Sequence, residues 1–220
     1  KGLNARIGGL RFKSKINNVM YLAQSMQSLG IIGDEWDINP NLLGVKNGVL
    51  DLTTGELCPS KPTDYVRTVS PCEWKGIAEP CPQWEKFLTE VFDNDTKLIA
   101  FIQRLLGYGI TGYSTEHIFV VFWGEGRNGK DTLLETLANV LGDSLATPVQ
   151  PQVLLADNKN DASATPHLAA MRSRRLCWVS ETNDGAMLNV GQVKYLTGGG
   201  TVVARPLYGE PTTFHPQYLL

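Results

Sequence analysis

Hydrophobic positions divide the chain into stretches of different period. Ile16, Val19, Met20, Ala23, Met26 and Leu29 recur at three- and four-residue steps before Gly30. That spacing predicts an amphipathic helix with its apolar side in a core. Residues 45–57 read as a β-hairpin, with Val49-Leu50-Asp51-Leu52, the turn Thr53-Thr54-Gly55, then Glu56-Leu57. The Pro-rich stretch from Pro59 to Pro82 has no period and reads as loop with short strands. Two helices follow. Trp84, Phe87, Leu88, Val91 and Phe92 line the first; Leu98, Ile99, Ile102, Leu105 and Leu106 line the second. Asp95 is the expected cap of the second helix and Gly107-Tyr108-Gly109 its expected stop.

After residue 117 the pattern changes. Ile118-Phe119-Val120-Val121-Phe122-Trp123 is a continuous apolar run, the sign of a strand buried on both faces. A glycine-rich loop comes next, then a helical pattern of Leu133, Leu134, Leu137, Val140 and Leu141, and later a second apolar strand, Leu176-Cys177-Trp178-Val179. Strand, loop, helix and strand predict a parallel α/β sheet. The expected organisation is a helical and hairpin module over residues 1–109 and an α/β core over 110–220.

The loop carries the chemistry. Gly124-Glu125-Gly126-Arg127-Asn128-Gly129-Lys130-Asp131-Thr132 contains a complete G-x-x-x-x-G-K between strand and helix. Glycines let successive backbone N–H groups turn around a phosphate, the helix N-terminus adds positive potential, and Lys130 reaches β and γ phosphates. The candidate nucleotide-binding residues are therefore Gly124, Gly126, Asn128, Gly129, Lys130, Asp131 and Thr132. Asp131 stands where a Mg²⁺-binding hydroxyl is usual, so it either ligates the metal or weakens its binding. Thr132 is about 100° further around the helix and a poor substitute. An acid at the end of a neighbouring strand completes such a site by orienting metal or water, and Glu181 lies just past Leu176-Cys177-Trp178-Val179-Ser180. Arg172, Arg174 and Arg175 precede that strand and read as contacts to phosphate or to a neighbouring subunit, or as a solvated basic face.

Composition narrows the classes. In 220 residues there are 20 Lys and Arg against 22 Asp and Glu, a net charge of −2, so nothing global points to nucleic acid or membrane. Locally, residues 1–15 carry +5 and the rest −7; the first stretch reads as a solvated segment or as a basic arm near a polyanion. No apolar run approaches the ~18 residues of a membrane span. Cys58, Cys72, Cys81 and Cys177 form no C-x-x-C, and His117, His167 and His215 fall at no ligand spacing, which predicts reduced thiols in a cytoplasmic chain without zinc. The chain begins at Lys1 rather than Met, and the expectation is a piece of a longer polypeptide.

Further motifs carry a resemblance. Val193-Lys194-Tyr195-Leu196-Thr197-Gly198-Gly199-Gly200, then Ala204-Arg205 and Phe214-His215-Pro216, resemble the region after the Walker B strand of superfamily three helicases. The match is to the phage and plasmid primase–helicase branch shared with poxvirus-type primases. Asn47-Gly48-Val49-Leu50-Asp51-Leu52, Cys81-Pro82-Gln83-Trp84 and Gln103-Arg104-Leu105-Leu106-Gly107-Tyr108 agree with it in order and spacing. The resemblance covers about residues 44–220. It implies a P-loop AAA+-like core, ATP and Mg²⁺ as ligands, a homo-hexameric ring on DNA during replication, and a primase region in the same polypeptide. Carried over by position, Lys130 and Glu181 are catalytic, Asp131 and Glu181 hold metal, and Lys194 and Arg205 meet DNA or a neighbouring subunit. The polar sensor residue and the arginine finger are expected beyond Leu220. Two other readings compete: a small-molecule P-loop kinase, and a degenerate P-loop assembly module that binds without hydrolysis.

Overall fold

The computed structural model describes residues 11–26, 35–155, 165–180 and 186–220. Contacts divide the chain into two compact units, Lys1–Trp36 and Asp37–Leu220.

In the first unit the predicted helix is present as α1 (Lys13–Gln24), but none of its residues is buried. Ile16, Val19 and Met20 are all exposed, so the expectation of a core face is corrected. Leu29 and Gly30, the predicted end of the helix, lie outside the described residues.

The second unit starts from a turn. Asp51 Oδ1 accepts the N–H groups of Thr53 and Thr54 at 2.8 and 3.4 Å, and the chain reverses behind it. The flanking segments form an antiparallel meander of β1 (Leu42–Val45), β2 (Gly48–Asp51) and β3 (Glu56–Cys58), with Leu43 opposite Leu50 and Leu50 opposite Leu57. The aperiodic stretch after it is tied down by side chains rather than ladders. Buried Asp37 Oδ1 accepts from the N–H of Arg67 and Thr68 and from the Thr68 hydroxyl, and Asn47 exchanges two hydrogen bonds with the Trp74 backbone.

Two helices follow, α2 (Pro82–Val91) and α3 (Thr96–Ile110). Asp95 caps α3 as expected, accepting from Lys97 and Leu98 N–H at 3.0 Å. Gly107-Tyr108-Gly109 does not stop the helix, which runs to Ile110. Gly109 is instead a packing glycine: a Cβ there would lie 2.9 Å from Leu219 Cδ2, so helix and sheet approach closely at that point.

The glycine-rich loop leads into α4 (Lys130–Leu141). Beyond it, β4 (Ala146–Pro148) pairs in parallel with β5 (Leu176–Trp178). Leu219 bridges Leu176 in parallel, and Val120 N–H donates to Leu220 O at 3.0 Å. The layer therefore runs from 146–148 through 176–178 and 218–220 to the segment before the loop. Alternation sorts its residues between two cores. Leu176 and Leu219 join Leu105, Leu133 and Leu141 on one face. Cys177, Tyr218 and Leu220 join Met171, Leu196 and Val202 on the other. Each Leu fully buried in this way contributes roughly 2 kcal/mol. The first core also contains Leu43, Leu50 and Leu88, so it crosses residue 110.

The run 118–123 is extended but is not a strand buried on both faces. Val121 is 69% and Trp123 89% exposed. Ile118, Val121 and Trp123 are left exposed while Phe119, Val120 and Phe122 are half-buried, and among the described residues only 218–220 is bonded to the run.

The short helix Pro166–Ala169 (α5) and α6 (Val190–Thr197) cover the second core, and β6 (Val202–Ala204) and β7 (Thr212–Phe214) form an antiparallel hairpin. No helix among the described residues is long and apolar enough to cross a membrane.

Arg175 joins the hairpin module to the sheet. It is buried at 3% exposure at the head of β5, and Nη2 donates to the carbonyls of Asn39 and Leu42 at 3.3 and 3.1 Å. Its backbone is equally engaged, through Arg175 N–H to Leu145 O and Leu219 N–H to Arg175 O. A solvated basic face is therefore the wrong reading for this residue. Burial lowers its pKa to about 10, and the charge of Asp37 partly offsets that. Because the folded-state pKa lies below the unfolded one, the unfolded chain binds more protons only above about pH 10. Arg175→Ala removes the two hydrogen bonds to the Asn39 and Leu42 carbonyls and leaves a void where a buried side chain stood, and should cost about 2 kcal/mol or more in urea unfolding. That loss should be the same at pH 6 and pH 9, since the guanidinium stays charged in both states across that window.

Candidate functional site

The loop's shape comes from two residues in the left-handed region, Arg127 at φ 63° and Gly129 at φ 86°. Gly129 is the N-cap of α4 and supplies no side-chain cap, which leaves the first N–H groups of the helix open to a ligand. Only glycine fits there: besides the positive φ, a Cβ would lie 2.7 Å from Val91 Cγ2. Lys130 opens the helix with its ammonium turned back into the loop. Nζ donates to Asn128 Oδ1 at 2.7 Å and to Gly124 O at 3.2 Å.

The loop borders a cleft of about 1040 Å³. Gly126, Arg127, Asn128, Gly129, Lys130, Asp131 and Thr132 line one side, and Pro148, Trp178, Val179 and Ser180, at the carboxyl ends of the parallel strands, line another. Leu105, Leu106, Leu154 and Leu188 add apolar wall. A cleft outside the carboxyl ends of parallel strands, mostly apolar with a few converging polar groups, is the ordinary setting for a small ligand. Arg127 and Lys130 bring positive charge; Asp131, in the first turn of α4, and Glu135 bring negative charge. Cys177 also lines it, but burial pushes its thiol well above the usual range, so it is no thiolate nucleophile.

The structure thus brings Gly126, Asn128, Gly129, Lys130, Asp131 and Thr132 to one cleft, with Gly124 joined through its carbonyl. Glu181 lies outside the described residues; Ser180, just before it, lines the cleft. Asp131 is a single carboxylate beside open helix N–H groups. Among the described residues no cluster of three or more His, Cys, Asp or Glu is arranged to hold a metal.

Lys194 and Arg205 do not line this cleft. Lys194 is exposed in the last turn of α6, whose Asn189 cap accepts from Gln192 N–H at 3.0 Å. Arg205 follows β6. Its carbonyl accepts from Thr165 N–H and its own N–H donates to the Thr165 hydroxyl, while its Nε donates to Gly209 O at 3.2 Å, which stiffens the hairpin turn. At the tip, Tyr208 is 99% exposed with φ 59°, beside exposed Leu207. The sequence reading passed over Tyr208; its signal is an aromatic held between Pro206 and Gly209 in a turn, where no core needs it.

Comparison with known proteins adds the following. Residues 1–93 match the D5 N terminal like family. The chain is 34% identical over 185 residues, 83% of its length, to "Putative helicase L207/L206" of Acanthamoeba polyphaga mimivirus. It is 29% identical over 189 residues, 81% of its length, to "Putative primase C962R" of African swine fever virus isolate Warthog. "Putative helicase 121R" of Invertebrate iridescent virus 3 aligns with the whole chain at 21% identity. The chain spans only about a fifth of the length of these relatives, 19% of the first two and 24% of the third. Over residues 1–93 the chain is thus similar to the D5 N terminal like family, and over most of its length it is similar to viral proteins named putative helicase or putative primase.

Proposed function

We propose that this chain forms the nucleotide-binding part of an ATP-driven DNA helicase motor, within a primase–helicase that replicates viral DNA in the host cytoplasm. The observation that carries the reading is the loop itself. A Gly-rich turn and a helix N-terminus converge with the Lys130 ammonium beside the carboxyl ends of parallel strands. The helicase and primase names of the viral relatives point the same way.

In this reading ATP enters the cleft with its phosphates over the loop. Backbone N–H groups and Lys130 meet the β and γ oxygens, where negative charge builds as the terminal phosphoryl leaves. Glu181 orients the attacking water. Asp131 stands at the start of α4 as a ligand for Mg²⁺, which neutralises phosphate charge when bound. Lys194 and Arg205 act elsewhere, neutralising DNA phosphates or facing a neighbouring subunit of a homo-hexamer. Exposed Tyr208 and Leu207 put apolar surface at the tip of that hairpin.

The test is ATP turnover by the full-length protein with and without single-stranded DNA. DNA-stimulated hydrolysis is expected. Nucleotide binding with no hydrolysis under any condition would instead identify a non-hydrolysing assembly module.

Two substitution sets probe the site. Lys130→Ala should weaken ATP binding tenfold or more in calorimetry. Gly129→Ala should do so by forcing the loop off Val91, with a loss of roughly 1–2 kcal/mol in stability from the forced positive φ. Unchanged affinity in Lys130→Ala would remove the site. The second set addresses the metal. Asp131→Ala should lower Mg²⁺-dependent affinity and Asp131→Ser should largely retain it. Tighter Mg²⁺–ATP binding in both would show that the carboxylate repels the triphosphate instead.

A further inference from the structure

Lys130 has carboxylates within its own stretch of chain, yet its ammonium is held by a neutral amide. Asp131 follows it directly and Glu135 lines the same cleft, but among the described residues Lys130 forms no ion pair. Its shortest bond, 2.7 Å, is to Asn128 Oδ1; the bond to Gly124 O is 3.2 Å. A charged donor on a carboxamide oxygen makes a short bond without cancelling the charge. Only the oxygen end of the amide accepts from an ammonium, which fixes how Asn128 is turned. Its nitrogen end lies against Gly124, where any side chain would collide with it. The amide is therefore held between Lys130 and a backbone position that only glycine leaves open.

The geometry points to Asn128 as a positioning residue for Lys130: its carboxamide holds the ammonium inside the loop, still charged, with Oδ1 in the place a phosphate oxygen takes when a nucleoside triphosphate binds. The inference rests on the nucleotide reading of the loop. A lysine on a four-carbon stem otherwise samples many rotamers, and fixing it costs free energy at the moment of binding. Asn128 removes much of that cost beforehand. An aspartate would hold the ammonium as firmly but would neutralise it. An alanine would leave it charged but loose.

The experiment is a double-mutant cycle on ATP affinity in the full-length protein, read by calorimetry. Asn128→Ala should weaken ATP binding about fivefold to tenfold. In a Lys130→Ala background the same change should have less than about a twofold effect, because the residue acts through the lysine. A loss that merely deforms the loop would instead add to that of Lys130→Ala. Asn128→Asp, which keeps the shape, should bind ATP more weakly than Asn128→Ala and recover part of the loss in added salt, with an unchanged melting temperature. Additive losses, wild-type affinity in Asn128→Ala, or Asn128→Asp binding as tightly as wild type would overturn the positioning role while the loop remains a nucleotide site. Absence of ATP binding in the wild-type protein, or wild-type affinity in Lys130→Ala, would overturn the nucleotide reading and the positioning role with it.

Discussion

The α/β part of the molecule depends on where residues 218–220 sit. Leu219 N–H donates to Arg175 O and Cys177 N–H to Leu219 O, at 3.0 and 2.9 Å, so the segment is stitched onto β5. On its other side Leu220 O receives Val120 N–H, the backbone bond that attaches the segment leading into the loop. A piece more than ninety residues further along the chain therefore fixes where the loop begins. Its side chains do the same work through packing. Leu219 reaches the core under Gly109 of α3, while Tyr218 and Leu220 point to the opposite core. Burial raises the Tyr218 phenol well above its usual pKa, and its hydroxyl, bonded to Leu196 O at 3.3 Å, stays neutral inside.

Local signals were legible in the sequence where local chemistry decides. The Asp51 turn, the Asp95 cap and the apolar stripes of α2 and α3 are set within a few residues, and each is found close to where it was read. The misreadings share one cause, a distant partner. Gly107 and Gly109 look like a stop until Leu219 is known to pack on Gly109. The run 118–123 looks doubly buried because all six residues are apolar, but burial depends on what covers each face, and Ile118, Val121 and Trp123 are left exposed. Strand β1, which begins ahead of the predicted hairpin, lacks alternation because Leu43, Gly44 and Val45 are all buried.

The candidate site divides in the same way. G-x-x-x-x-G-K and its context are short-range features, and the structure gathers those residues at one cleft. In the sequence Arg175 is one of three arginines ahead of a strand, and nothing local separates it from the other two; only the fold shows it buried against the carbonyls of Asn39 and Leu42. The bond from Lys130 to Asn128 was not legible either, since spacing two residues apart in a loop does not say which way a long side chain turns.

Trp123 gives this arrangement a consequence for observation. It directly precedes Gly124 and stands 89% in water, at the flank of the segment that no described strand covers. A solvated indole emits at long wavelength and is open to collisional quenchers, whereas Trp178, on the wall of the cleft, is partly sheltered. Loop and cleft thus each carry a native fluorophore, one wet and one shielded. Whatever docks beside the loop, a ligand or another length of polypeptide, leaves a spectral trace without any label being added.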